Sequence, residues 1–148
     1  MKRKVLILFL FILLILALTG CVVAPELTTN RFLAEEAVYE YWQAIINRQY
    51  ELARCYCVLD GVWYNKVDEW KEYININSED DASSLMIYFD KFYKPTEIIK
   101  DNAVVYARII TDKIVFPTKK MNGIDIDVFE YETELIKQNY PYGDWELK

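Results

Sequence analysis

Residues 37–53 of this chain, AVYEYWQAIINRQYELA, show the helical pattern from which the rest of the fold is built. Their apolar side chains recur every three or four residues and continue a stripe that starts at Leu33, which predicts an amphipathic helix. Asn30 or Thr29 is the expected N-cap of this helix, which should end near Asn47. A second, shorter helix is predicted from about Tyr50 to Cys57.

Two more helices are predicted between this segment and Pro95. Asp60 is the expected cap of the third, whose apolar face would consist of Trp63, Val67, Trp70 and Ile74. Ser78 with Asp81 three residues later resembles a capping box. It would open a fourth helix that carries Ala82, Leu85, Met86, Phe89 and Phe92. Pro95 closes the helical half, because the residue before a proline avoids helical geometry.

After Pro95 the pattern becomes typical of strands and turns. The predicted strands are Thr96–Lys100, Ala103–Ile110 with an extension over Ile114–Phe116, Ile124–Lys137 and Asp144–Lys148. The predicted connections are a tight turn at Asp101–Asn102, a hairpin loop at Pro117–Gly123 and a turn at Asn139–Gly143. Helices followed by an antiparallel meander indicate an α+β fold.

The long strand has an irregular pattern. Its apolar face starts with Ile124, Ile126 and Val128, but the same face continues with glutamates, and Phe129, Tyr131 and Leu135 lie on the other face. A strand cannot exchange faces without a shift in register, so a β-bulge is predicted near Val128–Phe129. The alternative is a strand that is buried on one face at one end and on the other face at its far end.

The 37–53 segment resembles the opening of nuclear-transport-factor-2-like (cystatin-like) domains. In those domains a first helix carries an aromatic pair and breaks at a polar turn, and the next helix begins with an acidic-x-Ala pattern. Trp145-Glu146-Leu147 is similar to their closing strand. The resemblance covers residues 32–148 and implies a cone, in which N-terminal helices pack on a curved antiparallel sheet. The chain departs from the family in its long middle region, Gly61–Tyr93, and in having Arg48 where a glycine is usual.

The N-terminus has the layout of a secretory signal. Lys2, Arg3 and Lys4 precede an apolar run of 14 residues, and Leu18-Thr19-Gly20-Cys21 resembles a bacterial lipobox. The lipobox predicts that residues 1–20 are a signal peptide that is removed, and that Cys21 receives acyl chains such as palmitate. Residues 21–30 would then be a lipidated tether and residues 31–148 a single α+β domain.

The same pattern predicts the location of the protein. A positive end stays on the cytoplasmic side, so the rest of the chain should lie on the extracytoplasmic face of a cell membrane, held there by lipid. The apolar run is shorter than the roughly 20 residues that a membrane-spanning helix needs. The alternative is an uncleaved membrane anchor in which Cys21 has no special role.

Composition excludes several classes of function. Three of the 17 basic residues lie in the signal peptide, so the mature chain has 14 against 23 acidic residues, a net charge of about −9. Such a surface repels nucleic acid and anionic lipid. The chain has no histidine, which removes Ser-His-Asp catalysis and histidine metal sites. Cys55 and Cys57 are interpreted as small apolar core residues.

The resemblance implies candidate site residues. Enzymes with this fold, such as isomerases and dehydratases, are similar in placing an acid, a tyrosine or a histidine inside the cone. The candidates for lining a cavity are Tyr41, Trp42, Tyr106 and Tyr131. Asp127 or Glu130 would be the base in such an enzyme. The alternative is that the tyrosines pack in the core and the acids are solvated.

No metal or cofactor is expected. Glu79-Asp80-Asp81 and the pair Asp125 and Asp127 offer oxygen ligands for calcium, but they lack the spacing and the glycine of a calcium loop. They are interpreted as solvated acidic surface.

Two functions remain open at this point. The first is a non-enzymatic lipoprotein whose cone binds a small apolar ligand or a protein partner. The second is an isomerase- or dehydratase-like enzyme that acts on a small hydrophobic substrate. A wide cavity with one buried carboxylate would favour the enzyme. A cavity filled by Trp42, Trp63 and Trp70 would favour the first function in its protein-binding form.

Overall fold

The computed structural model describes residues 25–78, 83–115, 124–138 and 144–148. Within these ranges three helices precede five strands: α1 (Pro25–Ile46), α2 (Tyr50–Arg54), α3 (Val62–Ser78), β1 (Ser83–Phe92), β2 (Glu97–Ile99), β3 (Asn102–Val115), β4 (Ile124–Lys137) and β5 (Trp145–Leu147). The helices pack against a strongly curved antiparallel half-barrel sheet, which confirms the predicted α+β cone. In the described part of the chain, no helix has the length and apolar character needed to cross a membrane.

Several predictions concern residues outside these ranges. They are the signal peptide with Cys21, the acidic run at residues 79–81, the hairpin loop at 117–123 and the turn at 139–143.

The sheet has the strand order β1-β3-β4-β5, with β2 also paired to β3. All of these pairings are antiparallel. β1 pairs with residues 107–115 of β3 and β2 with residues 102–104, so the two form one interrupted edge. The interruption contains Pro95, whose missing N–H suits an edge position. The tight turn lies one residue earlier than predicted, at Lys100–Asp101, with Lys100 at φ 57°.

The predicted fourth helix is wrong, because residues 83–92 form the strand β1. The spacing of the apolar residues in this segment fits the period of a helix as well as that of a strand. In the structure Leu85, Ile87 and Phe89 alternate along β1 and pack on the core, while Met86 and Tyr88 between them are exposed. An irregularity between Phe89 and Lys91 then shifts the register, so that Phe92 also packs on the core. A short apolar run of this kind fits either a helix or a strand when only the sequence is considered. Here it forms a strand because β3 provides an edge with which it pairs.

The predicted bulge in β4 is wrong as well. The pairing of β4 with β3 is continuous from Ile136 to Ile124. Phe129, Tyr131 and Leu135 face the core. Ile126 and Val128 lie on the outer face with the glutamates and are 56% and 54% exposed. The irregular pattern of β4 therefore arises because two apolar residues lie on the outer face. The alternative prediction, a strand that is buried on one face at one end and on the other face at its far end, is also wrong.

Helix α1 starts at Pro25, before the predicted cap at Thr29 or Asn30 and within the segment expected to be a tether. It ends at Ile46, close to the predicted position. The next turn holds Arg48 at φ 59°, in the left-handed region that glycine adopts without steric cost. This is the position at which the resembling family usually has glycine. The predicted stripe of α3 is confirmed, since Trp63, Val67, Trp70 and Ile74 are its buried residues.

Helix α2 stops at Arg54 because the following residues bond to the C-terminal strand. The Leu147 N–H donates to the Tyr56 carbonyl at 2.9 Å, and the Val58 N–H donates to the Leu147 carbonyl at 2.8 Å. At Gly61 a Cβ atom would lie 2.9 Å from the Val58 carbonyl oxygen, so this close approach requires glycine. Cys57 is buried here, whereas Cys55 is exposed, contrary to the expectation that both are core residues; both thiols are free.

Candidate functional site

The interior of the cone is filled by an aromatic cluster, which consists of Tyr41, Trp42, Trp63, Trp70 and Tyr131. Trp42 lies at its centre, and its ring centroid is 5.3 Å from those of Tyr41 and Trp70, 6.1 Å from that of Trp63 and 5.1 Å from that of Tyr131. Most of these contacts are edge-to-face, the arrangement that aromatic quadrupoles favour. Helices α1 and α3 and strand β4 supply the rings.

Polar groups inside the cone are few. The Tyr41 hydroxyl donates to the Trp63 carbonyl at 3.4 Å, and burial raises the pKa of Tyr41 well above its usual range. Burial also raises the pKa of Tyr131, to about 12. Among the described residues the buried polar side chains are those of Thr111 and Thr133, and neither is a carboxylate.

The structure brings three of the four candidate cavity residues together. Tyr41, Trp42 and Tyr131 belong to the aromatic cluster, but Tyr106 lies on the opposite face of the sheet. Its neighbours in β3, Val105 and Ala107, face the core, and side chains alternate along a strand. The Tyr106 hydroxyl donates to Glu97 at 3.0 Å, and its ring contacts Tyr93.

Neither of the candidate bases is buried inside the cone. Glu130 lies on the outer face of β4, where it accepts a hydrogen bond from Arg108 Nε at 3.0 Å. Asp127 lies on the core-facing side of β4, opposite Thr111, but its side chain is exposed near the start of the strand. Within the described ranges no three acidic or cysteine side chains come close enough to hold a metal ion. The side chain of Asp125 lies outside the described residues.

A shallow depression opens where the aromatic cluster reaches the surface. It has a volume of about 190 Å³ and is lined by α3 and β4. Lys66 Nζ lies 5.7 Å from the centroid of the Tyr131 ring at this place. This volume is below the roughly 300–1,000 Å³ that is common for ligand pockets.

A larger cavity, the acidic groove, lies between α1, the turn after α2 and β5. It has a volume of about 370 Å³ and is lined by Leu33, Glu36, Ala37, Glu40, Cys55, Tyr56, Asp144, Trp145 and Glu146. No single stretch of sequence indicates this groove, because its residues come from three distant segments. The only signal in the sequence was the pair Glu36 and Glu40, one helical turn apart on α1.

Comparison with known proteins shows a shared fold. No family model matches the chain, and no curated protein is significantly similar to it in sequence. A function-unknown protein from Mycobacterium tuberculosis superposes with a TM-score of 0.52 and 16% identity, over 84% of this chain and 71% of that one. A conserved protein from Planctomyces limnophilus gives a TM-score of 0.52 and 8% identity, over 81% of this chain and 91% of that one.

Raising the pH is expected to lower the free energy of unfolding. In the folded chain burial, followed by Glu146 and Cys55, raises the pKa of Cys57 to about 12, and burial raises that of Tyr131 to about 12. In the unfolded chain these groups lose their protons near pH values of about 8.5 and 10. The unfolded state therefore binds fewer protons above those values, and stability falls as the pH rises.

This contribution is complete below the unfolded pKa values and is lost by about pH 12. Urea unfolding at about pH 8 and about pH 11 measures the decrease. The double variant Cys57→Ala/Tyr131→Phe should show a smaller decrease than the unaltered chain. An equal decrease in both proteins would contradict the assignment.

Proposed function

We propose that this chain is a lipid-anchored extracytoplasmic lipoprotein with a nuclear-transport-factor-2-like (cystatin-like) domain, and that this domain binds a ligand or partner without catalysing a reaction. The anchor is inferred from the lipobox at Leu18–Cys21 and the apolar run before it. Two or more acyl chains on Cys21 would suffice for stable attachment, because each buried CH₂ contributes roughly 0.8 kcal/mol.

One observation supports binding over catalysis, namely that Trp42 and its aromatic neighbours fill the cone. An enzyme of the kind considered above needs space for a substrate and a carboxylate buried beside it. The centre of the cone holds Trp42, which is 0% exposed, and the candidate bases Asp127 and Glu130 are both exposed. The two solved proteins share the fold of this chain, and the one from Mycobacterium tuberculosis is described as a protein of unknown function.

Replacement of Cys21 by alanine is expected to abolish acylation and removal of residues 1–20. Mass spectrometry of the N-terminal peptide, from protein made in a bacterium, measures both events. The unaltered chain should yield an acylated peptide that starts at Cys21. Cys55→Ala, which alters an exposed free thiol of the folded domain, is the matched control and should be processed like the unaltered chain. An unmodified chain that starts at Met1 in the unaltered protein would overturn the lipoprotein proposal.

Asp127→Ala/Glu130→Ala is expected to be functionally silent. Glu130 takes part in a surface ion pair with Arg108, and such pairs contribute about 0–1 kcal/mol, so the double variant should fold. In a strain that lacks the protein, it should complement the defect as fully as the unaltered chain does. Loss of complementation by a variant that is still folded and membrane-bound would favour the enzyme instead.

A further inference from the structure

The outer face of the sheet carries an apolar patch, called the outer patch below. Its members come from three adjacent strands and are Met86 and Tyr88 of β1, Ile110 of β3, and Ile126 and Val128 of β4. Tyr88, Ile110 and Val128 form one row, because the register pairs Ile110 with both of the others. Met86 and Ile126 lie in the next row, on either side of Asp112.

The outer patch is open to solvent in a single copy of the chain. Four of its five side chains are between 41% and 56% exposed, and Ile110 is partly exposed. The helices pack on the other face of the sheet, where Ile87 and Ile109 point toward the core. Contiguous apolar patches on a protein surface commonly mark an interaction site.

The size of the outer patch fits a small symmetric interface. Side chains exposed to this extent present roughly 400–500 Å² in total. Two copies packed face to face would bury about 1,000 Å² together with the residues around the patch, which is the lower limit of a specific interface. A dimer of this kind is expected to have a dissociation constant of about 1–100 μM.

The layout of the outer patch matches itself under a two-fold rotation about β3. In this half of the sheet β3 is the central strand, with β1 on one side and β4 on the other. An axis parallel to β3 places β1 of one copy on β4 of the second copy and keeps the rows in register. Tyr88 then faces Val128, and Met86 faces Ile126, so a longer side chain meets a shorter one in both rows.

The position of α1 favours this axis over one perpendicular to the strands. Asn30, in the first part of α1, accepts a hydrogen bond from Lys137 Nζ at 3.0 Å, so α1 starts at the end of the sheet remote from the outer patch. Three residues separate Cys21 from Pro25, which lie at most about 14 Å apart. An axis parallel to β3 directs both α1 starts to the same side, where one membrane can hold both anchors. A perpendicular axis would direct them to opposite sides.

We propose that the outer patch is the interface of a symmetric dimer of this chain, with the two-fold axis parallel to β3 and β1 of each copy packed on β4 of the other. The direction of the axis rests on the proposed lipid anchor, whereas the interface itself does not. Each mature copy has a net charge of about −9, so the apolar contact must outweigh repulsion between the copies. Salt screens this repulsion and should strengthen the dimer.

Light scattering of the full acylated chain in nonionic detergent measures the oligomeric state. We expect a dimer at about 100 μM protein, with a larger dimer fraction in about 0.5 M NaCl than in about 0.05 M. Val128→Asp should raise the dissociation constant by about tenfold or more. Ile76→Asp places the same charge on α3, at a residue that is 64% exposed, and should behave like the unaltered chain.

Asp112 distinguishes the two directions of the axis. With the axis parallel to β3 it faces Asp112 of the second copy, and Asp112→Asn should lower the dissociation constant by about threefold or more, because like charges disfavour association. A perpendicular axis that crosses β3 at Ile110 would place Asp112 over Arg108 of the second copy, since both lie two residues from Ile110. The same variant would then weaken the dimer.

Cross-linking tests the arrangement even if Val128→Asp does not fold. Chains with Met86→Cys and chains with Ile126→Cys, all carrying Cys55→Ala, are mixed in equal amounts in lipid vesicles and treated with a short bismaleimide. Cys57 is buried and should not react. We expect the product that joins the two kinds of chain to exceed the products that join like chains. Ile76→Cys in the same background is the control and should not cross-link.

The proposal is overturned by a chain that stays monomeric at about 100 μM, by equal effects of Val128→Asp and Ile76→Asp, or by a mixed product that is not in excess. A weaker dimer in Asp112→Asn would overturn the proposed axis. None of these results concerns the acylation of Cys21, which is measured separately. An unacylated Cys21 would contradict the anchor, while light scattering and cross-linking would still decide whether the dimer forms.

Discussion

Replacing Trp42 by alanine is expected to lower the free energy of unfolding by about 3–5 kcal/mol. The Trp42 side chain is 0% exposed and contacts rings from α1, α3 and β4. Its removal leaves a cavity between elements that cannot close around it, because the curved sheet and α3 hold the surrounding rings apart. Denaturant unfolding followed by circular dichroism measures the change.

Two further variants keep this prediction testable if the alanine protein does not fold. Trp42→Phe retains one aromatic ring and should be destabilised less. Phe32→Ala alters a residue on the same helix that is 62% exposed, and it should change stability by no more than about 0.5 kcal/mol. A decrease below about 1.5 kcal/mol for Trp42→Ala would mean that the neighbouring rings collapse into the space, and that Trp42 does not organise the interior.

Replacing Leu147 by alanine is expected to cost about 2–5 kcal/mol, although this residue is next to the last in the chain. Its side chain is 0% exposed and pairs with Leu135 across the sheet. Its backbone also binds Tyr56 and Val58, so that β5 is bonded on both sides. Loss of this side chain should loosen β5 and the turn after α2 together.

Hydrogen exchange is the second measurement for this variant. The amides of Val58 and Leu147 should lose protection together, while those in the centre of β3 should exchange as before relative to global unfolding. Lys148→Ala, which removes a surface hydrogen bond to Asn102, is the control and should cost no more than about 1 kcal/mol. If Leu147→Ala is no more destabilising than this control, the C-terminal strand is not part of the core.

The sequence predicted the helices best where their apolar faces were wide and regular. The stripe on α3, from Trp63 to Ile74, is buried as expected. The stripe on α1 is buried too, although the helix starts earlier than its expected cap. Helical periodicity depends only on residues that are close together in the sequence, so these two helices could be predicted without knowledge of tertiary contacts.

The errors occurred where one pattern fits two structures. Residues 83–92 match a helix and a strand almost equally, and β3 decides the outcome because it has an edge that β1 pairs with. Ile126 and Val128 suggested a bulge, but they are simply apolar residues on the outer face. Tyr106 has the same residue type as the cavity candidates Tyr41 and Tyr131, but its position in β3 places it on the other face of the sheet.

The acidic groove was not predicted for a different reason. Glu36, Tyr56 and Trp145 are each unremarkable in the sequence, and the groove exists only because β5 returns to the turn after α2 beside α1. Contacts between residues separated by about ninety positions along the chain leave no periodic signal, so no inspection of a single segment finds them.

By itself the sequence determined the order of helices before strands, the long amphipathic helix and the exclusion of histidine chemistry. Composition needs only a count of residues, and periodicity depends only on residues that are close together in the sequence. It also contains the segment Leu18–Cys21, whose resemblance to a lipobox is the basis of the proposed anchor. The tertiary structure decided that the cone is filled by Trp42 and its neighbours and that a cavity of about 370 Å³ with an acidic rim lies between α1, the turn after α2 and β5. Both features arise because the curved sheet and the pairing of β5 with the turn after α2 bring side chains together that are distant in the sequence. Such contacts are a property of tertiary packing and not of local sequence periodicity.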